Sequence, residues 1–250
     1  MSAIGGVDVI AVVVAAFLLA GFVKGVCGLG LPSVSIGVLS LSIGLKPALA
    51  LLLVPSFVTN VWQAISGGSL WFIIKRTWLL LLTICVGTWA GVGLLAYLDA
   101  RLLSMVLGAT LMAYAALGLT RFTLPHPGRR ETWVSAVIGV ANGVLAGMTG
   151  SYVAAVPFLQ SLGWSKDLLV QAMGIVFTVS TIALAVCMVD RRLVPAELAL
   201  GSVGAVVPAL AGMYLGQIVR GWLSEARFRQ VFYWALMILG AFILIRAAGV

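Results

Sequence analysis

The sequence predicts an all-α polytopic membrane protein with about eight transmembrane helices in two homologous halves. Of its 250 residues, 62% are hydrophobic and only 9% are charged, whereas soluble proteins carry about 25% charged residues. The apolar residues form long continuous runs, and a helix needs about 20 such residues to cross a bilayer. Polar surface is too scarce to cover a water-facing globule, so the solvent of this protein is lipid.

Eight apolar runs are long enough to cross the membrane. Two shorter runs, at about residues 31–43 and 152–163, follow the first and fifth spans, and their lengths suit re-entrant or half-membrane helices. The eight predicted spans are, approximately, residues 8–26, 47–66, 77–97, 102–120, 133–149, 168–188, 195–219 and 229–246.

The two halves of the chain resemble each other in order. "GFVKGVCG" at residues 21–28 aligns with "GVLAGMTG" at residues 143–150, and "VGTWAGVGLL" aligns with "LAGMYLGQIV" through paired glycines. This similarity predicts a first membrane repeat over residues 1–120, a polar loop over 121–131 and a second repeat over 132–250. An even number of crossings in each half makes the repeats parallel and an odd number makes them inverted, and the sequence leaves both open.

Several classes of function are excluded by what the sequence lacks. The net charge of +8 is spread over short loops, which is typical of interfacial anchoring and not of nucleic-acid binding. Its three cysteines are far apart, so they form neither a metal-ligand spacing nor a disulfide framework. Because no Walker loop and no HExxH motif is present, we expect no cofactor, no metal site and no enzymatic activity. No carboxylate lies mid-span to relay protons.

The stretch after the first span predicts a broken helix. Gly25, Gly28, Gly30 and Pro32 lie too close together to sustain a regular helix. A short helix beginning at Leu31 or Pro32 would direct its unpaired N–H groups and its dipole at the break, which is a ready anion site. Hydroxyl donors and their counterparts in the second half complete the prediction: Ser33, Ser35, Thr149, Gly150, Ser151 and Tyr152. Two such helix starts converging near the midplane would bind a small oxyanion with few charges.

Purely structural roles for the same residues are alternatives to substrate binding. Glycines in transmembrane helices often only permit close helix packing. Lys24, embedded in an apolar run, either attracts the substrate or reaches the interface with its long side chain. Asn60 and Gln171 are candidate substrate contacts, although such residues more often hydrogen-bond neighbouring helices. Cys27 either contacts a sulfur substrate or fills apolar space.

Several motifs resemble the TauE/SafE family of membrane transporters over almost the whole chain. The most specific are "KGVCGLG", "LLVPSFVTNVWQAISGG", "KRTW", "GTWAG" and "AGMTG" followed by Pro157. This resemblance implies export of sulfite, organosulfonates or other sulfur-containing anions. The chain departs from the family pattern at Leu31 and Pro32 in the first break, and at Ser151 and Tyr152 in the second.

We therefore expect a secondary transporter that moves a small sulfur-containing anion by alternating access, with the anion held at the two breaks. An anion channel or uniporter of the same fold, and a non-transporting assembly protein, are the alternatives. Expected partners are the anion and the lipid bilayer, with no nucleic acid, and a homo-oligomer is left open. The expected location is a bacterial inner membrane.

Overall fold

The computed structural model describes residues 7–120, 124–220, 222 and 224–249, and all regular structure in these residues is helical. Residues 121–123 of the predicted polar loop lie outside this part of the chain. Eleven α-helices occur in it. They are α1 Val7–Cys27, α2 Leu31–Ile43, α3 Leu45–Ile65, α4 Leu70–Tyr97, α5 Ala100–Leu119, α6 Glu131–Thr149, α7 Val156–Ser161, α8 Lys166–Asp190, α9 Ala196–Gly204, α10 Val206–Arg220 and α11 Glu225–Ala248.

The predicted number of spans is confirmed within the described residues. Eight helical segments there are long and apolar enough to cross a membrane, with α9 and α10 together forming one of them. The protein is therefore an all-α integral membrane protein. Long apolar runs determine helix bounds in lipid because every backbone group must be satisfied within its own segment.

The largest difference from the predicted bounds is the start of α4, at Leu70 instead of residue 77. The predicted bounds left Lys75 and Arg76 just outside the span, but long basic side chains reach the interface while their apolar stems stay on the helix. Both lie against indole rings, with Lys75 Nζ 5.5 Å from the centre of the Trp71 ring and Arg76 Cζ 5.6 Å from that of Trp164. Helix α4 thus begins in an aromatic and basic turn.

The seventh span is interrupted between α9 and α10. Proline has no N–H group, so Pro208 cannot bond the carbonyl of Gly204, four residues earlier, and its ring crowds that carbonyl. The α-helix accordingly stops at Gly204 and resumes at Val206.

The described chain divides into two compact units. Unit 1 contains α1, α2, α3 as far as Pro55, α5, α9, α10 and α11, and unit 2 contains the rest of α3 from Ser56, with α4, α6, α7 and α8. Each predicted repeat contributes helices to both units, so these units are not the repeats. The repeat bounds stay a prediction.

Unit 1 is built around the packing of α1 along α10 and of α5 along α11. Four glycines let α1 and α10 approach closely, because a Cβ at any of them would overlap a backbone carbonyl of the other helix. Small residues spaced four apart are a common means of close packing between membrane helices. These glycines are Gly21, Gly25, Gly212 and Gly216.

Unit 2 repeats that crossing with α4 and α6. A Cβ at Gly87, Gly91, Gly143 or Gly147 would again overlap a carbonyl of the partner helix. The glycines that the sequence comparison aligned therefore occupy equivalent crossings in the two units. For Gly25, predicted as part of the substrate site, close helix packing accounts for the glycine.

Candidate functional site: two helix breaks

The first break, in unit 1, is a left-handed turn between α1 and α2. Helix α1 ends at Cys27, and the N–H of Gly28 donates to the carbonyl of Lys24 at 2.7 Å. Gly28 and Gly30 have φ angles of 75° and 105°, a region that other residues rarely adopt. Gly30 also faces the Phe232 ring closely enough that a Cβ would lie 3.0 Å from it.

Helix α2 starts directly after this turn and has no side-chain cap among the described residues. The first N–H groups of an α-helix have no partner within the helix. Pro32 has no N–H to satisfy, and the N–H of Val34 donates to the Gly30 carbonyl at 3.0 Å. The donors of this first turn are therefore those of Leu31 and Ser33, and both residues are buried.

Three polar side chains predicted at this break differ in their environment. Lys24 is only 3% exposed in the last turn of α1, so it does not extend into solvent. The Ser35 hydroxyl donates to the Leu31 carbonyl of its own helix at 2.7 Å. The Ser33 hydroxyl is buried and has no hydrogen-bond partner in the described part of the chain. Of the two serines, Ser33 is the one whose hydroxyl remains available to a ligand.

The second break, in unit 2, begins in the same way. Helix α6 ends at Thr149, and Gly150, with φ 68°, donates its N–H to the Ala146 carbonyl at 2.7 Å. The Thr149 hydroxyl donates to the Leu145 carbonyl at 2.7 Å and accepts the N–H of Ser151 at 3.3 Å.

Beyond Gly150, however, the chain does not enter an α-helix at once. A 3-10 turn at Val153–Ala155 precedes the six-residue helix α7. The N–H of Ala155 is already bound, because it donates to Asn142 Oδ1 at 3.1 Å. The prediction of an equivalent helix N-terminus here is therefore wrong, since α7 is short and starts from an occupied turn.

A buried hydroxyl and amide cluster supports the second break instead. Thr181 of α8 lies at its centre, with its Oγ1 3.2 Å from Ser56 Oγ, 3.4 Å from Asn60 Nδ2 and 3.3 Å from the Tyr152 hydroxyl. Asn60 also donates to Ser56 Oγ at 3.0 Å. All four residues are at most 1% exposed. Polar groups buried this deeply stay only where hydrogen bonds compensate the lost water.

Ser151 lies next to this cluster in sequence but does not share its bonds. Its hydroxyl is buried and has no partner in the described residues, as with Ser33 in unit 1. In the part of each unit that the structure describes, one serine hydroxyl is thus buried without a partner, within a few residues of a left-handed glycine.

Gln171, also predicted as a substrate contact, holds a turn. Its amide nitrogen donates to the carbonyls of Ala64 and Gly67 at 2.9 and 2.8 Å, and its Oε1 accepts the N–H of Ser69 at 3.1 Å. These bonds join the end of α3 to the start of α4 and account for the burial of the side chain.

Sequence reasoning missed Ser56 and Thr181 as partners of Asn60. Hydroxyl residues in helices usually bond a carbonyl of their own preceding turn, as Thr181 does with Phe177. Nothing in the local sequence distinguishes such a residue from one that also joins two helices. Among the described residues, no group of three His, Cys, Asp or Glu side chains is placed to hold a metal ion.

A family comparison identifies the kind of protein to which these breaks belong. The model of the family described as "Sulfite exporter TauE/SafE" matches residues 13–243. The chain belongs to the TauE/SafE family. The match covers both breaks, and this TauE/SafE protein is thus an integral membrane protein of an anion-transporter family. Comparisons with curated proteins and with solved structures found no match.

Proposed function

We propose that this TauE/SafE protein is a secondary transporter that moves sulfite, thiosulfate or a small organosulfonate by alternating access, with donors at each break available to the anion. The proposal rests on the family and on one observation above the rest. This is the start of α2, which has neither a side-chain cap nor a partner for the Ser33 hydroxyl among the described residues, with buried Lys24 in the preceding helix turn.

An oxyanion suits this chemistry. Sulfur oxyanions present several acceptor oxygens and a charge, and helix N-termini supply N–H donors together with a favourable dipole. A charge in a buried position interacts more strongly with an opposite charge, because its surroundings screen it less than water does. Lys24 would therefore contribute more to binding in this buried position than a lysine in water.

The second break contributes differently in this proposal. Its Ser151 hydroxyl is the group available to the anion, and the Thr181 cluster keeps the backbone of residues 150–155 in place. The same donor chemistry would serve an anion channel, so the mode of transport needs its own test.

The test is uptake of labelled sulfite into proteoliposomes, with taurine and chloride as competitors. Saturation and counter-transport by unlabelled sulfite are expected for a transporter, whereas flux that neither saturates nor exchanges would indicate a channel. Absence of flux from the wild-type protein would favour the non-transporting alternative.

The Lys24→Ala variant tests the site itself. Loss of a charge-assisted contact is expected to lower sulfite uptake by roughly tenfold or more while the protein still inserts. Lys46→Ala is the matched control, because Lys46 lies in the first turn of α3 and is only partly buried. Wild-type uptake by Lys24→Ala would refute the assignment of this residue.

Bulky replacements test the breaks. Gly28→Val and Gly150→Val place a β-branched residue at a left-handed φ angle and are expected to abolish uptake. Gly68→Val is the control, since a Cβ at Gly68 meets nothing within 4 Å. Insertion is followed by size-exclusion chromatography of each variant, and normal uptake by either break variant would count against the proposal.

A further inference from the structure

Unit 1 contains an open cavity of about 360 Å³ at the end of its helices. It is formed by the C-terminal part of α2, the first turns of α5 and the last turns of α11. Ser40 lies nine residues after the start of α2, which is about 13 Å along the helix axis from the first break. The lining residues are Ser40, Leu41, Ala100, Arg101, Ser104, Ile243, Arg246 and Ala247.

Two arginines give the cavity its charge. Arg101 Nη2 donates to the Ala248 carbonyl at 3.1 Å, and Arg246 Nη1 donates to the Leu41 carbonyl. These carbonyls position the guanidinium groups without neutralising them. Within the described residues neither arginine is in an ion pair; the ion pair formed there is that of Arg76 with Glu131.

Donors remain for a ligand. A guanidinium group has five N–H donors in a planar fork, and the structure shows one bond for each of these two side chains. Among the described residues, no carboxylate lines the cavity. Asp99, next to it in sequence, accepts the N–H of Leu102 at 2.6 Å and caps α5.

The position of the cavity along the membrane spans indicates the depth in the bilayer at which a ligand would bind. The α5 span begins at Ala100 and the α11 span ends at Ala248, so the two arginines lie at span ends, where lipid headgroups are found. Arginine forks match the oxygens of phosphate groups.

We propose that this cavity is a binding site for a phosphate group, held by Arg101 and Arg246 together. An anionic phospholipid headgroup and free phosphate present the same chemistry. Binding of a headgroup would join the ends of α2, α5 and α11 to the membrane surface. The site is separate from the proposed transport site, because none of its lining residues belongs to either break.

The experiment compares lipid retention by native mass spectrometry after purification in neutral detergent. The protein is supplied with phosphatidylglycerol or phosphatidylcholine, and inorganic phosphate is titrated separately with thermal unfolding as the readout. Arg101→Gln/Arg246→Gln removes both charges and keeps side-chain N–H donors for the carbonyls. Arg129→Gln/Arg130→Gln is the matched control, because those arginines are exposed in the turn before α6.

Phosphatidylglycerol retained by the wild type and the control, but reduced roughly tenfold or more in Arg101→Gln/Arg246→Gln, would identify a lipid site. A phosphate-dependent shift lost only in that variant, without lipid retention, would identify a free-phosphate site. Equal retention and equal shifts in the wild type and Arg101→Gln/Arg246→Gln would overturn the proposal. If the glutamine variant does not fold, Arg101→Lys/Arg246→Lys keeps the charges but loses the fork, and retention unchanged from wild type would then refute recognition by arginine.

Discussion

The two helix breaks start alike and continue differently. Both end a helix at a left-handed glycine, Gly28 or Gly150, whose N–H donates to the carbonyl four residues earlier. After the first break a 13-residue helix begins without a side-chain cap among the described residues. After the second, a 3-10 turn and a six-residue helix follow, held by Asn142.

This difference shows that a left-handed glycine at a helix end can be followed either by a helix start with backbone donors or by a turn that side chains hold in place. In unit 1 the donors are those of an uncapped helix start, with Lys24 in the preceding turn. In unit 2 the sequence around the break, residues 143–157, contains no lysine, and the cluster around Thr181 holds the backbone in place. A helix N-terminus provides donors through the backbone alone, whereas an irregular turn has to be stabilised by side chains.

Substitutions at the glycines where α1 crosses α10 and α4 crosses α6 should destabilise the two units equally. The largest loss of stability is expected at these crossings. Gly21→Ala in unit 1 and Gly143→Ala in unit 2 each place a Cβ against a carbonyl of the partner helix. The helices must then separate, and we expect each variant to lose about 2 to 3 kcal/mol of unfolding free energy. Unfolding in mixed detergent micelles measures the loss.

Gly204→Ala is the control for these variants. A Cβ at Gly204 meets nothing within 4 Å, and alanine is the better helix former, so stability should stay the same or rise slightly. A large loss in one crossing variant but not in the other would show that the two crossings are not equivalent.

The Thr181 cluster belongs to one unit only, and Thr181→Val tests it. Valine keeps the shape but removes the hydroxyl that joins Ser56, Asn60 and Tyr152. We expect a loss of about 1 to 2 kcal/mol and reduced sulfite uptake. Thr178→Val, on the same helix, is the control, because the one side-chain bond of Thr178 among the described residues is to the Gly174 carbonyl of its own helix. Equal losses in both variants would mean that the cluster adds nothing beyond a local bond.

The fold could be predicted closely because membrane helices follow from composition and length. The predicted run at residues 31–43 coincides with α2, and the paired glycines lie where helices cross. Lipid requires each segment to satisfy its own backbone, so local sequence carries most of the information about helix bounds.

The site could be predicted only in part because its contacts join distant segments. Ser56 and Thr181 are separated by 125 residues, and each is an ordinary helix residue in sequence. Gln171 showed the reverse problem: it was predicted as a substrate contact together with Asn60, yet its amide holds the turn at residues 67–69. Distance from a break along the sequence does not show which way a side chain points.

Helix α3 contains a proline, Pro55, and we expect the bonds that compensate for it to contribute less to stability than the Thr181 cluster. Pro55 cannot bond the Leu51 carbonyl, and the Ser202 hydroxyl donates to that carbonyl at 2.9 Å while accepting the Val54 N–H at 3.0 Å. Ser202→Ala is expected to cost about 1 kcal/mol in micelle unfolding. Ser135→Ala is the control, because the bond of the Ser135 hydroxyl in the described part of the chain is to its own helix, and this variant should be near neutral. An equal loss of stability in the two variants would show that the Ser202 bonds to α3 add nothing.

The smallest effect on stability is expected at Ser33 and Ser151, the serine near the break in each unit. The hydroxyls of Ser33 and Ser151 are buried without partners in the described residues, so Ser33→Ala and Ser151→Ala should leave unfolding unchanged or slightly improved, because a buried unsatisfied group is a cost. If these hydroxyls bind the anion, KM for sulfite should nevertheless rise, by roughly threefold to tenfold each. Ser35→Ala is the control, since Ser35 is equally buried but bonds its own helix. Unchanged KM in both variants would remove the serines from the site, and a rise in only one would show that a single break carries the hydroxyl contact.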